Sequence, residues 1–442
     1  LRSPSFFLLL TKEFRELFAS RAFWIMLLFA GLLVGHAFIT AVGLYAEMSG
    51  GGGGPAALPQ GLTPLDGILV PTWGAYDLAA TLLFPFVAIR LIAVEKETGA
   101  LKLLLQLPGA TWVKVAAKAI VLVCAWLVSW IPGFVAIILW RKYGGHVHGP
   151  ETFNLLLGHL LRGLLSAGIA VAAGALAESA ASAAIVTLGF TVGAWALDFV
   201  AAGRGGLLQQ LATYTPTAAL RTFEQGMLRL NVVLVMLVLS CAGFGLAAIW
   251  LHTGRTFRAR FAGAFILIAM AALAAFGAAQ MNTSWDVSEN RRNSFGAADE
   301  AKLKQINQPL KITVYLSPED PRLTDFEQNV LRKLRRVMSG VEVDYAATSA
   351  TGLFETDHYG EIWYELGGQK SMERSTIEEV VLDQIYKLAN VDAPERASPE
   401  EEGFSGYPLA AQPKYAAVIF YVIWPVLVIL LAGATKWDHG YF

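Results

Sequence analysis

Eight apolar runs, each close to the length of a bilayer-crossing helix, divide this chain. A helix needs about 20 apolar residues to cross the hydrocarbon core. The runs fall at 22–44, 76–94, 116–140, 155–177, 182–201, 231–251, 261–280 and 414–433. Each must be helical, because lipid offers no partner for backbone N–H and C=O groups. Composition agrees: charged residues are 16% and hydrophobic residues 55% of the chain, where a soluble protein carries about a quarter charged residues. The expected fold is an α-helical polytopic membrane protein of about eight transmembrane helices. A small α/β extracytoplasmic domain is expected between the last two.

Charge is segregated along the chain. Residues 281–413 carry 14 Lys and Arg against 23 Asp and Glu, and the remaining residues carry 20 against 12. An acidic soluble domain thus interrupts a basic-flanked membrane domain. Basic residues favour the cytoplasmic ends of spans. Arg2, Lys12, Arg15 and Arg21 precede the first run, Lys96, Lys102, Lys114 and Lys118 lie around the second gap, and Arg255, Arg258 and Arg260 lie around the sixth. With eight spans these groups share one side, which places both termini in the cytoplasm and residues 281–413 outside it. Arg141, Lys142, Arg204, Arg221 and Arg229 fall on the other side, so the asymmetry is a bias.

The expected organisation is an amphipathic interfacial helix over 1–21, a six-helix domain over 22–252, and a cytoplasmic loop with the seventh span over 253–280. The outside domain and its linker fill 281–413, and the eighth span with a tail fills 414–442. In the first segment Phe7, Leu10, Phe14, Leu17 and Phe18 recur at helical spacing, with Lys12, Glu13, Arg15 and Glu16 expected to face away. The first run is too long for a cleaved signal peptide. Ser49, five glycines and Pro55 make the first outside loop low-complexity sequence, and residues 203–229 are expected to dip back as short segments. In the outside domain, strands are expected at 310–316, 341–345 and 361–366, and helices at 325–338 and 376–388.

Between the second and third runs lies Glu95-Lys96-Glu97-Thr98-Gly99-Ala100-Leu101-Lys102-Leu103-Leu104, a short amphipathic insert suited to offering a surface to a soluble partner. No phosphate-binding Gly-x-x-x-x-Gly-Lys-Ser/Thr loop occurs in the chain, and neither does a His-Glu-x-x-His or Cys-x-x-Cys metal motif. Cys124 and Cys241 both sit in apolar runs as packing residues. His146, His148 and Glu151 cluster in an outside loop, with His159 beyond; the histidines read as solvated loop residues rather than a metal site. Arg162 and Asp198 lie within the fourth and fifth runs, where a charge needs a partner or a route to the interface. An antiparallel pair of spans could bring the two together; the alternative, slightly favoured, is that each snorkels separately to the interface.

Glu95, Glu97, Gly99, Leu101, Leu103, Leu104, Pro108 and Lys118 resemble the hallmark of type 2 ABC exporter permeases, and the resemblance spans residues 5–252. It implies that the insert is a coupling helix, with Glu95, Glu97, Thr98, Gly99, Leu101, Leu104 and Pro108 contacting a separate cytoplasmic ATPase subunit. It also implies a homodimer or a related permease partner, a bacterial inner membrane, and no cofactor bound by this chain, with ATP and Mg on the ATPase. Nothing points to nucleic acid.

Residues 281–390 are similar to the auxiliary component of gliding-motility-associated ABC transporters. The similarity lies in Asp286-Val287-Ser288, Arg292-Asn293-Ser294, Ile312-Thr313-Val314-Tyr315-Leu316-Ser317 and Gly360-Glu361-Ile362. The family's outside region is longer. The implied function is export of a hydrophobic or amphiphilic substrate. The rival expectation is a mechanotransmitting subunit that controls an extracytoplasmic protein partner without transport.

Overall fold

Eight helices are long and apolar enough to cross a membrane: Arg21–Ala46, Leu65–Glu97, Thr111–Lys142, Gly149–Leu176, Ala180–Val200, Leu230–Trp250, Phe257–Ala279 and Ala416–Thr435, here the first to eighth spans. Helix α1 (Pro4–Phe18) precedes them. The computed structural model describes residues 4–47, 63–201, 212, 214–281, 283–317, 320–338, 340–346, 358–395 and 411–437. The glycine run at 50–54, residues 203–211 and most of the expected linker back to the membrane (396–410) lie outside the described residues.

The second and third spans outrun their apolar runs the most. The second starts at Leu65 because a π-helical turn, Leu65–Leu69, winds directly onto the helix that follows. Asp66 and Asp77 mask that continuity in the hydropathy. The third bends at Ser129–Trp130, just ahead of Pro132, which lacks the N–H needed to continue the ladder. Ser129 Oγ donates to Trp126 O at 2.6 Å there.

Small residues decide which spans touch. With lipid on all sides, helices associate by close packing rather than by hydrophobic exclusion. The fourth and sixth spans meet backbone to backbone: a Cβ added at Gly168 would lie 2.8 Å from Ser240 O, and one at Gly243 would lie 2.6 Å from the Gly168 backbone. The eighth span returns to the first, where Gly31 and Gly35 receive the Trp424 indole and the Phe420 ring. Trp424 Nε1 donates to Leu27 O at 2.9 Å, and His36 Nδ1 lies 3.1 Å from Tyr421 Oη. The seventh span packs on the sixth and otherwise exposes Phe261, Phe265, Leu273 and Phe276.

The spans give the bundle two ends. One carries α1 and the insert. The other carries the ribbon in which β1 (Met227–Arg229) pairs antiparallel with β2 (Ser284–Asp286) and leads into the domain that the charge bias of the sequence assigns to the outside. That domain is a four-stranded sheet in the order β4-β3-β5-β6, from β3 (Leu310–Val314), β4 (Val341–Tyr345), β5 (Ile362–Leu366) and β6 (Gln369–Glu373). β3 pairs parallel with β4 and antiparallel with β5. Leu310, Ile312, Val314, Ile362, Tyr364 and Leu366 share a core with helices at 321–337 and Glu378–Ala389. β6 was not expected, because Gln-Lys-Ser-Met-Glu is polar on both faces, as suits an edge strand.

The glycine groove on the first span gives a stability prediction. Gly35→Val should destabilise the detergent-purified chain by about 1–3 kcal/mol, the range for overpacking. It should also abolish disulfide formation between cysteines placed at His36 and Tyr421. An unchanged melting point with intact crosslinking would show that the eighth span does not rest in this groove.

Candidate functional site

The insert opens in mid-helix. The second span continues through Arg90–Val94 to Glu95–Glu97 and stops at Gly99, whose φ of 80° is a left-handed conformation that favours glycine. The chain then turns into a second short helix, Ala100–Gln106. Leu101 is buried and Leu104 half-buried, so they fasten this helix to the bundle. Lys114 Nζ donates to Leu105 O at 3.1 Å and Leu107 O at 2.7 Å, satisfying carbonyls left open at the helix end. Thr98 and Pro108 are exposed, as are Lys102, Leu103, Gln106, Leu107 and Trp112. The outward ridge of the insert is thus apolar, with polar residues interleaved.

Its first acid points inward. Glu95 is 5% exposed and Lys118, in the third span, is 1% exposed. Lys118 Nζ donates to Glu95 Oε2 at 2.7 Å and to Glu13 Oε1 and Oε2 at 2.9 and 2.8 Å, which uses its three donors. Lys12 pairs with Glu95, with Glu13 at 3.2 Å and with Glu16 at 3.0 Å. Two fully buried carboxylates are thereby balanced by one buried and one half-buried ammonium. The expectation that Glu13 faces away from the bundle is corrected: it is fully buried, drawn in by Lys118. The expectation that Glu95 offers itself to a soluble partner meets the same difficulty, since its carboxylate is spent inside the cluster.

The next two residues reach other helices. Lys96 Nζ donates to Ala175 O at 2.9 Å and Ala177 O at 2.6 Å, at the carboxyl end of the fourth span. Glu97 Oε1 accepts from the Ala180 N–H at 2.6 Å, the first residue of the fifth span. A helix carries partial negative charge at its carboxyl end and partial positive charge at its amino end. The lysine and the glutamate therefore each meet the end that suits them. Three consecutive side chains join the insert to α1 and the third, fourth and fifth spans.

A second polar group lies deeper. Arg162 and Asp198 are both buried, yet they are not brought together as a pair. Arg162 Nε lies 2.5 Å from Asp77 Oδ1 of the second span, and its guanidinium donates to Thr81 Oγ1 at 3.1 Å. Asp198 lies 2.5 Å from Arg221 on the helix Pro216–Glu224. The fourth span packs against both the second and the fifth, and the second supplies a carboxylate at the right depth. Burial pushes the Glu224 carboxyl up to about 7; Asp77 adds to this, Arg221 and Arg162 oppose it, and Asp198 adds further. A cavity bounded by Asp77, Thr81, Leu82, Val192 and Trp195 opens beside this group, between the second and fifth spans. Asp77 stands as a charge inside the apolar run 76–94, the sequence sign of a buried partner for Arg162.

The outside domain is clamped to the opposite end. Arg292 pairs with Asp66 of the second span, while its Nε and Nη2 donate to Gln225 O and Glu224 O at 3.1 and 3.2 Å. Asn293 Nδ2 donates to Gln225 O at 2.7 Å, and Arg332 donates to Gln225 Oε1 at 2.6 Å. Asp286 accepts from Asn293 N and Ser294 Oγ at 3.0 and 2.7 Å, which shapes this loop. His146 Nε2 lies 2.8 Å from Glu289 Oε1.

A model of the family described as ABC-2 family transporter protein matches residues 7–232, just over half of the chain. The match takes in most of α1, the insert and every charged group of the two buried clusters, and it stops short of the sheet domain. No curated protein and no solved structure gives a significant match.

Multiple-mutant comparisons follow from these contacts. Lys118→Met leaves two buried carboxylates short of a cation and should cost about 3–5 kcal/mol, whereas Lys118→Met with Glu13→Gln and Glu95→Gln should recover most of that. Thermal unfolding of the purified variants measures both, and a triple variant no better than the single one would refute the balance described. In the membrane interior, Arg162→Met and Asp77→Asn should be non-additive by about 0.5–3 kcal/mol. The same cycle for Arg162 with Asp198 should show a smaller coupling; the reverse order would restore the pairing expected from sequence.

Proposed function

Because this chain belongs to the ABC-2 family of transporter membrane proteins, we propose that it is the permease subunit of an ABC transporter whose ATPase resides on separate cytoplasmic chains. In this reading residues 95–108 receive the ATPase movement. The observation that carries it is the set of anchors made by Glu95, Lys96 and Glu97, which link one short segment to α1 and three further spans. A displacement of the insert would be felt at once by the fourth and fifth spans, and the buried ion cluster would carry it to α1 and the third. The exposed ridge of Leu103, Leu107 and Trp112 is the surface offered to the ATPase.

ATP and Mg belong to that partner, and the chain would act as a homodimer or with a related permease, since two ATPase subunits each need an insert. Basic residues near α1 and the insert argue for a cytoplasmic location of that end and an extracytoplasmic location of the domain at 281–413. Both fit a bacterial inner membrane. The cavity beside Asp77 is lined mainly by apolar side chains, which favours a hydrophobic or amphiphilic export substrate over an ion. Coupling then works by differential affinity: ATP-driven closure favours one arrangement of spans, and substrate binds the two arrangements unequally.

One observation favours a second reading. The outside domain is joined to the spans by a β-ribbon and by the Arg292 and Arg332 contacts rather than by a loose tether. Motion of the spans would move the domain, as a mechanotransmitting subunit acting on an envelope protein requires. Its likeness to a gliding-motility auxiliary domain belongs to this reading.

Docking and transmission separate by mutation. Leu103→Asp with Trp112→Asp should abolish co-purification of the ATPase. Glu97→Lys should leave association largely intact and lower substrate-stimulated ATP turnover by about 10- to 150-fold, the scale of one charge-assisted hydrogen bond of about 1.5–3 kcal/mol. Normal turnover in Glu97→Lys and normal association in the double variant would together remove the coupling assignment. A cysteine at Gln369 should react with an impermeant thiol reagent in intact spheroplasts; labelling only after lysis would invert the topology.

A further inference from the structure

We propose that the outer end of the bundle holds one divalent transition-metal ion of the zinc class, bound by His148, Glu151 and Glu289. Their ligand atoms all lie within 4.8 Å of one another. His148 precedes the fourth span and Glu151 lies in its first turn, so the two share a face three residues apart. Glu289 arrives from the loop after β2, on the far side of the seventh span in sequence. The site thus joins the membrane bundle to the neck of the outside domain.

The surroundings suit a cation. His148 Nδ1 is buried with no hydrogen-bond partner among the described residues. Glu151 is 3% exposed, and its Oε1 accepts the Glu289 N–H at 2.5 Å, which holds the carboxylate against the Glu289 loop. His146 Nε2 lies 2.8 Å from Glu289 Oε1 and would orient that carboxylate, as outer hydrogen-bond partners of metal ligands do. Arg292 adds positive charge nearby, but its guanidinium is engaged by Asp66 and the Glu224 and Gln225 carbonyls. The other carboxylate group of similar compactness, Glu13, Glu16 and Glu95, is different: Lys12 and Lys118 already sit among its oxygens.

The donor set selects the ion. One imidazole nitrogen and two carboxylate oxygens suit zinc and its neighbours, with water in a fourth position. Ca²⁺ and Mg²⁺ prefer shells made of oxygen alone. Tetrahedral ligands with bonds of about 2.1 Å stand roughly 3.4 Å apart, so small side-chain rotations close the shell. The ion ties the start of the fourth span to the loop at 286–294.

The test uses the full chain in detergent, dialysed against buffered Zn²⁺, with bound metal measured by elemental analysis and stability by thermal unfolding. One zinc per chain is expected, with a melting point raised by Zn²⁺, unaffected by Mg²⁺ and restored by EDTA. His148→Ala and Glu289→Gln should each weaken binding by about tenfold or more, and His252→Ala, at the other end of the bundle, should not. A wild-type chain that retains no zinc, or equal retention in His148→Ala and Glu289→Gln, overturns the proposal. If a variant does not purify as a single species, Co²⁺ added to the wild-type chain decides. Strong visible absorption of a tetrahedral centre upholds the site, and the weak spectrum of hydrated Co²⁺ rejects it.

Discussion

The pairing of Lys118 with Glu13 and Glu95 is the contact on which the α1 end depends. Removing charges from water costs more than a single ion pair usually returns, so such a group persists only when every donor and acceptor is used. Here one ammonium serves two carboxylates from different segments, and Lys12 closes the set from the half-exposed side. Geometry follows from this. Glu13 can be buried only if α1 lies across the foot of the third span. Glu95 can be buried only if the second span runs on past the apolar run that announces it. The insert is then held at the angle from which Lys96 and Glu97 reach the turn between the fourth and fifth spans.

The two ends of the bundle are built on different principles. At the α1 end, charges in low dielectric set positions, and apolar residues face outward. At the sheet end, backbone carbonyls at the close of the helix Pro216–Glu224 collect donors from the outside domain. Between them, Asp77 and Arg162 cross-link the second and fourth spans at a depth where neither can reach water cheaply. Shape changes begun at one end therefore meet a stiff element before they reach the other.

Much of this was readable in advance, and the failures are instructive. All eight spans were visible, because hydropathy reports directly on the solvent a segment requires. β4 was read to the residue, since Val-Glu-Val-Asp-Tyr alternates. Partner choice was not readable. Arg162 was matched to Asp198 through adjacency in the chain, while packing set it against Asp77, two spans earlier. Glu13 was placed on a solvent face because a helical wheel treats any carboxylate as outward; Lys118, alone within an apolar run, was the sign that a buried acid was required. The anchors of Lys96 and Glu97 are bonds to backbone groups at helix ends, and nothing in side-chain spacing announces those.

The seating of the eighth span on Gly31 and Gly35 bears on the order in which the molecule is assembled. The groove is made early in synthesis, and the side chains that fill it come from the last part of the described chain. Every other span, and the sheet domain between the seventh and the eighth, is made before Phe420 and Trp424 arrive. Until then the first span carries an open furrow in lipid, a surface that any passing helix with a suitable ring can occupy. Contacts between residues so distant in sequence form late and slowly. The step that completes the permease is therefore also the one most exposed to competition from other nascent chains.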